Sequence, residues 1–180
     1  MHWIESSGGP LILIEKQFLD EWGGVETSSD KNYTSDYDRA CDTDEYADVM
    51  SIPSGYAVVL GDEPDRTTIK IQSEKEATIV RWRWAPSENV IQEVLNKLKL
   101  SIFDNAEILR FCISGADIIL FDSSFQGDET FDSLEATLKP GEYVLKTTMF
   151  EPDSETCLLL HKLVLVSASP KTPVFPKFPQ

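Results

Sequence analysis

The densest run of chemically active side chains in the sequence is acidic. Asp36, Asp38, Asp42, Asp44 and Glu45 lie close together, interleaved with Tyr33, Tyr37 and Tyr46. Carboxylates at such spacing suggest calcium. A calcium loop counted from Asp36, however, puts Ala40 and Cys41 where an oxygen ligand and a glycine are required, which leaves only a non-specific cation site. The two histidines, His2 and His161, cannot form a zinc set between them, and strand alternation makes His161 an outward position. Cys41, Cys112 and Cys157 are odd in number and far apart, so they form neither a disulfide framework nor a CxxC site. Cys41 lies among carboxylates, which raise a thiol pKa and disfavour a nucleophile. No GxGxxG, P-loop or GxSxG motif occurs, and Gly8-Gly9-Pro10 reads as a tight turn into a strand. The sequence therefore assigns no catalytic, cofactor-binding or metal-ligating residue. With 31 acidic residues, some carboxylate pair always lies at a useful distance, so abundance is no support for acid–base catalysis.

The elements that must position these residues are mostly strands. Short apolar runs rich in Val, Ile, Leu and aromatics, punctuated by Gly, Pro, Asp and Ser, predict strands over 10–15, 55–60, 67–72, 76–84, 108–113, 117–121, 142–150 and 156–166. Trp82 and Trp84 share one strand face and read as core, and Trp22 as a plug against a sheet. One stretch is helical. Pro86, Ser87 as N-cap, Glu88, and Val90, Ile91, Val94, Leu95 and Leu98 at three- and four-residue spacing describe an amphipathic helix over 87–99. Repeated prolines make 169–180 an extended tail.

Motifs recur in order along the chain. Ser7-Gly8-Gly9-Pro10-Leu11-Ile12-Leu13 is echoed by Ser114-Gly115-Ala116-Asp117-Ile118-Ile119-Leu120, Pro53-Ser54-Gly55-Tyr56 by Pro140-Gly141-Glu142-Tyr143, and Glu63-Pro64-Asp65 by Glu151-Pro152-Asp153. The expected fold is mostly β, a β-rich α+β protein of two tandem related antiparallel β lobes packed together. An N-terminal lobe spans 1–86, the helix connects, and a C-terminal lobe spans 100–168. The first copy holds a surplus at 26–48, and that insertion carries the acidic, tyrosine-spaced run together with only two cations, Lys31 and Arg39.

The net charge of -15, from 31 acidic and 16 basic residues, excludes a nucleic-acid partner and favours a basic one. No membrane-length apolar run or export signal is present, and the free cysteines fit a reducing compartment, so the expectation is a cytoplasmic protein without a membrane partner. Tyrosines supply contact area at low entropic cost and carboxylates steer a basic partner, which suits a binding surface as well as a solvated loop.

Trp3, the Ser7–Leu13 run, Trp22-Gly23-Gly24 and Asp36-Tyr37-Asp38-Arg39-Ala40-Cys41 together resemble the immunity protein 21 family of bacterial polymorphic toxin systems. The resemblance implies a non-enzymatic antitoxin that binds and neutralises a cognate toxin domain in the producing cell. It also implies that the Gly8-Gly9-Pro10 turn and the 36–41 motif matter, for folding or for toxin contact. The sequence-based expectation is an inhibitor of a basic enzyme such as a nuclease. Its partner-binding residues are Tyr33, Asp36, Tyr37, Asp38, Asp42, Asp44, Glu45 and Tyr46. The alternative is a small β-sandwich hydrolase using a carboxylate pair in an inter-lobe cleft.

Overall fold

Alternating and apolar runs resolve into ten strands in the computed structural model, which describes residues 1–61, 64–127 and 131–168. The tail expected at 169–180 lies outside the described residues. The strands are β1 (Leu11–Glu15), β2 (Ala47–Ile52), β3 (Gly55–Leu60), β4 (Arg66–Ser73), β5 (Glu76–Trp84), β6 (Glu107–Ile113), β7 (Asp117–Asp122), β8 (Ser133–Thr137), β9 (Gly141–Asp153) and β10 (Thr156–Ser167). They form two antiparallel five-stranded sheets, ordered β2-β3-β1-β7-β8 and β4-β5-β10-β9-β6. Two α-helices accompany them among the described residues, α1 (Asp36–Cys41) and α2 (Glu88–Asn96), the second capped as expected by the Ser87 hydroxyl, which accepts from Val90 N.

Alternation sorts the strand side chains into layers. Leu13, Val58, Leu60 and Leu120 of the first sheet meet Ile79, Tyr143, Leu145 and Leu163 of the second between the sheets. The outer face of the first sheet, through Ile12, Ile14, Val59 and Phe121, is covered by Trp22 and Ala40. That of the second, through Val80, Leu158 and Leu160, is covered by Ile91 and Leu95 of α2. Each sheet takes strands from both halves of the chain, so the halves are interwoven around one shared core.

A topological two-fold relates the halves. Leu13 and Leu120 hold the same place in the first echo, and they are also partners across the β1–β7 pair at the centre of the first sheet. At the centre of the second sheet, Val80 on β5 pairs with Leu160 on β10. The hairpins β4–β5 and β9–β10 match in register, each with a one-residue bulge beside its turn, so that Thr67 faces Arg81 in one and Thr147 faces His161 in the other. The first-half counterpart of β6 is reduced to a single bridge, Ile4 with Thr67.

The Glu63-Pro64-Asp65 echo lies partly outside the described residues, and the Pro-Gly echo does not map onto this two-fold. Pro53-Ser54 opens β3 in the first sheet, whereas Pro140 precedes β9 in the second, where the counterpart is β4. Their likeness is turn chemistry, since Pro and Gly recur wherever a β chain reverses. His161 also departs from expectation. It is fully buried, in phase with Leu163 on the face between the sheets, because β10 is a central strand covered on one face by the first sheet and on the other by α2.

Candidate interaction surface

The insertion is organised around one buried carboxylate. Asp36, 1% exposed, accepts from Gly23 N at 2.9 Å, Ser29 N at 3.2 Å and the Ser28 hydroxyl at 3.1 Å. Its own N–H donates to Thr27 O, and the next N–H, of Tyr37, donates to Gly24 O. A carboxylate taken out of water in this way needs such a full set of donors. Ser35 starts the helix, its hydroxyl accepting from Asp38 N at 3.0 Å. Ala40, fully buried, then seats α1 against the first sheet beside Trp22, whose indole N–H donates to Ser123 O.

The same packing explains two glycine positions. A Cβ on Gly9 would sit 2.5 Å from the Tyr37 ring, and one on Gly24, at φ +54°, would sit 2.7 Å from the backbone of Phe125. The Gly8-Gly9-Pro10, Trp22-Gly23-Gly24 and 36–41 segments thus converge on one packed unit. Sequence reading assigned Asp36 and Tyr37 to a partner, but the structure turns both inward: Asp36 is enclosed and Tyr37 is half-buried against Gly9. Ser35 marks where the helix starts, but the direction of Asp36 is set by its bonds to Gly23 and Ser29, which no local pattern announces.

The other predicted residues stay at the surface. Asp38, Asp42, Asp44 and Glu45 are exposed, as is Tyr46, while Tyr33 is half-buried. Tyr33 and Asp42 are joined, the phenol donating to the carboxylate at 2.7 Å, and this hydrogen bond raises the Tyr33 pKa above its ordinary value. Following these residues, β2 forms the edge of the first sheet with Asp48 also exposed. That edge is guarded. Val49 N donates to the Asp48 carboxylate and Arg39 donates to Ser51 O, so two of its backbone groups are already engaged.

Beside α1 lies an open groove of about 500 Å³ lined by Ser29, Asp30, Lys31, Asn32, Arg39, Ser51, Ile52 and Pro53. Of carboxylates its lining holds Asp30 alone. Burial, with Glu151 nearby, pushes the Cys157 thiol up to about 11, and burial raises Cys112, which disfavours either thiol as a nucleophile. Among the described residues, no group of three or more His, Cys, Asp or Glu side chains is placed to hold a metal ion, and no helix is long and apolar enough to cross a membrane.

Comparison with known proteins agrees with the convergence of these motifs. No curated protein and no solved structure matches the chain significantly. The family described as immunity protein 21 matches residues 2–156, which takes in the turn, the buried Asp36 unit and the strands from β1 to β9, and the chain belongs to that family.

Proposed function

We propose that the protein neutralises a cognate toxin domain by covering its surface, and that the exposed side of the insertion is part of the contact. Membership of an immunity-protein family supports a toxin partner and a non-enzymatic role. The observation that carries the choice of surface is the division within the insertion. Asp36, Tyr37 and Ala40 anchor it to the first sheet, while Asp38, Asp42, Asp44, Glu45 and Tyr46 are presented outward on that anchored base. Fixed carboxylates on a protein of net charge -15 suit a basic partner, such as a nuclease whose own site must attract phosphate. Buried anchors with a charged rim also limit the entropy lost on binding.

The test is the association rate with the toxin domain encoded beside this gene. Replacing Asp38, Asp42 and Asp44 by Asn and Glu45 by Gln is expected to slow association about tenfold or more at low salt and to flatten its salt dependence. An unchanged rate and salt slope would place the contact elsewhere on the molecule.

A further inference from the structure

The hairpins β4–β5 and β9–β10 match in register, but their turns are held differently. The β4–β5 turn is tied to the body, Glu74 O accepting from Lys139 N at 2.6 Å and Lys75 O from Leu165 N at 2.9 Å. Among the described residues the β9–β10 turn has no such tie: Glu155 N donates back to the Asp153 carboxylate, and the tip stands clear. β9 also outruns its neighbour, since its pairing with β6 begins at Thr147 opposite Glu107 and leaves 148–153 beyond that edge. Around this free end two large apolar side chains reach solvent, Trp84 at 46% exposure and Met149 at 36%. They flank Cys157, which lies opposite Trp84 on β5 and whose sulfur is 3.2 Å from that of Met149. Exposed Trp and Met side by side are the composition of the centre of a protein contact.

The charge around this apolar pair has one sign. Glu151, Asp153 and Glu155 are exposed and make no ion pair among the described residues, whereas the cations beside them on β5 and β4, Arg83 and Arg66, are matched by Asp65 at 3.2 Å and Glu5 at 3.0 Å. The insertion rim belongs to the same end of the sandwich. Tyr46 O accepts from Gly61 N at 3.0 Å, Gly61 O accepts from Arg81 at 3.1 Å, and Arg81 pairs with Leu159, itself opposite Met149. Pro152 withholds an N–H from the free edge of β9, which favours contact through side chains over strand addition.

We infer that the β9–β10 tip is a second part of the toxin contact, with Trp84 and Met149 as its apolar centre and Glu151, Asp153 and Glu155 as its acidic edge. The inference rests on the proposed function and specifies its partner further: a protein surface with an apolar patch bordered by Lys and Arg, broad enough to meet both the insertion rim and the tip. A partner that is merely basic leaves Trp84 in water, and one that is merely apolar desolvates the carboxylates unpaired.

The measurement is the dissociation constant of the complex with the toxin domain encoded beside this gene. Wild type is compared with Trp84→Ala, with a tip variant combining Glu151→Lys, Asp153→Asn and Glu155→Lys, and with the Asn/Gln variant of the rim. Trp84→Ala is expected to raise Kd about 30-fold through faster dissociation. The tip variant is expected to raise it about tenfold or more, mainly by slowing association at low salt. Its substituted side chains are exposed and the asparagine keeps an oxygen for Glu155 N, so its thermal unfolding should match wild type and it decides the case even where Trp84→Ala fails to fold. Tip and Trp84 variants that bind like wild type while the rim variant associates slowly would overturn the tip assignment and leave the proposed function standing. A tip variant that weakens a complex the rim variant leaves unchanged would uphold the tip and remove the insertion from the contact. Failure of the wild-type protein to form a complex would overturn the proposed function and the tip assignment with it.

Discussion

Gly9 and Ala116 hold the same place in the two halves of the chain, and they live under different roofs. Ala116 is exposed to solvent, while Gly9 is buried beneath the Tyr37 ring. The turns they belong to are otherwise clasped alike. In the second half, the buried Glu15 carboxylate accepts from Ser114 N and its hydroxyl, each at 2.9 Å, and from Gly115 N. In the first half, the buried Asp122 carboxylate accepts from Ser7 N at 2.6 Å. Each half thus supplies, from the end of its central strand, the acid that caps the other half's turn. The scaffold is two-fold, and the insertion between β1 and β3 breaks the symmetry. Comparing the halves therefore separates residues that hold the sandwich from residues that seat the insertion.

Asp36→Ala is the change expected to widen that separation most. It leaves the Gly23 and Ser29 N–H groups without their acceptor and Arg39 without its buried counter-charge. The expected loss is about 3 kcal/mol or more by urea unfolding. Hydrogen exchange should show protection falling over 23–41 first, with β5 and β10, on the second sheet, still protected. Simultaneous loss in both sheets would mean that the insertion is integral to the sandwich and is not seated on it.

A second contrast lies inside the core. Arg81 and His161 are matched on their hairpins and both fully buried. Arg81 donates to Gly61 O at 3.1 Å, keeping its charge. His161 has the Thr147 hydroxyl at Nδ1, 2.9 Å away, and burial followed by the Arg81 cation pushes its pKa from 6.5 down to about 3. Between those values the unfolded chain takes up a proton that the folded chain refuses, so stability contributed by neutral His161 is complete above the unfolded pKa and declines on acidification. Each pH unit in that window removes about 1.4 kcal/mol, or about 2 kcal/mol by pH 5. His161→Gln should flatten this part of the stability–pH profile measured by urea unfolding at stepped pH. An unchanged slope would show that other groups govern it.

What the sequence revealed follows how strongly each element is patterned. The central strands were legible because Ile12, Val59, Ile79 and Leu160 sit in runs whose apolar content leaves no other reading. The edge strands β2 and β8 were not, since Asp48, Ser51 and Glu135 break their apolar pattern as edges require. The first echo gave the two-fold correctly because β1 and β7 meet at its centre. The Pro-Gly echo misled, because turns are shared by unrelated connections. At the candidate surface, the charge of the insertion was visible but not its orientation. Whether Asp36 points out or in depends on Gly23 and Ser29, reached through a loop whose path no periodicity encodes.

Gly9→Ala against Ala116→Gly is the smallest effect and the most direct reading of the asymmetry. Gly9 does not have a positive φ, so an alanine there is strained only by contact, its Cβ meeting the Tyr37 ring at 2.5 to 2.8 Å. The ring must tilt away, and the expected loss is about 1–2 kcal/mol by thermal unfolding. At Ala116 no ring covers the chain, and exchange for glycine should alter stability by only about 0.5 kcal/mol, mostly through the added freedom of the unfolded state. The double change Gly9→Ala with Tyr37→Ala removes both the methyl group and the ring it strikes, so it should be less destabilising than the sum of its parts. Strict additivity would show that the methyl group is resisted by the turn itself. In that case Gly9 would belong to the two-fold scaffold, like the serines capped by Glu15 and Asp122, and not to the seat of the insertion.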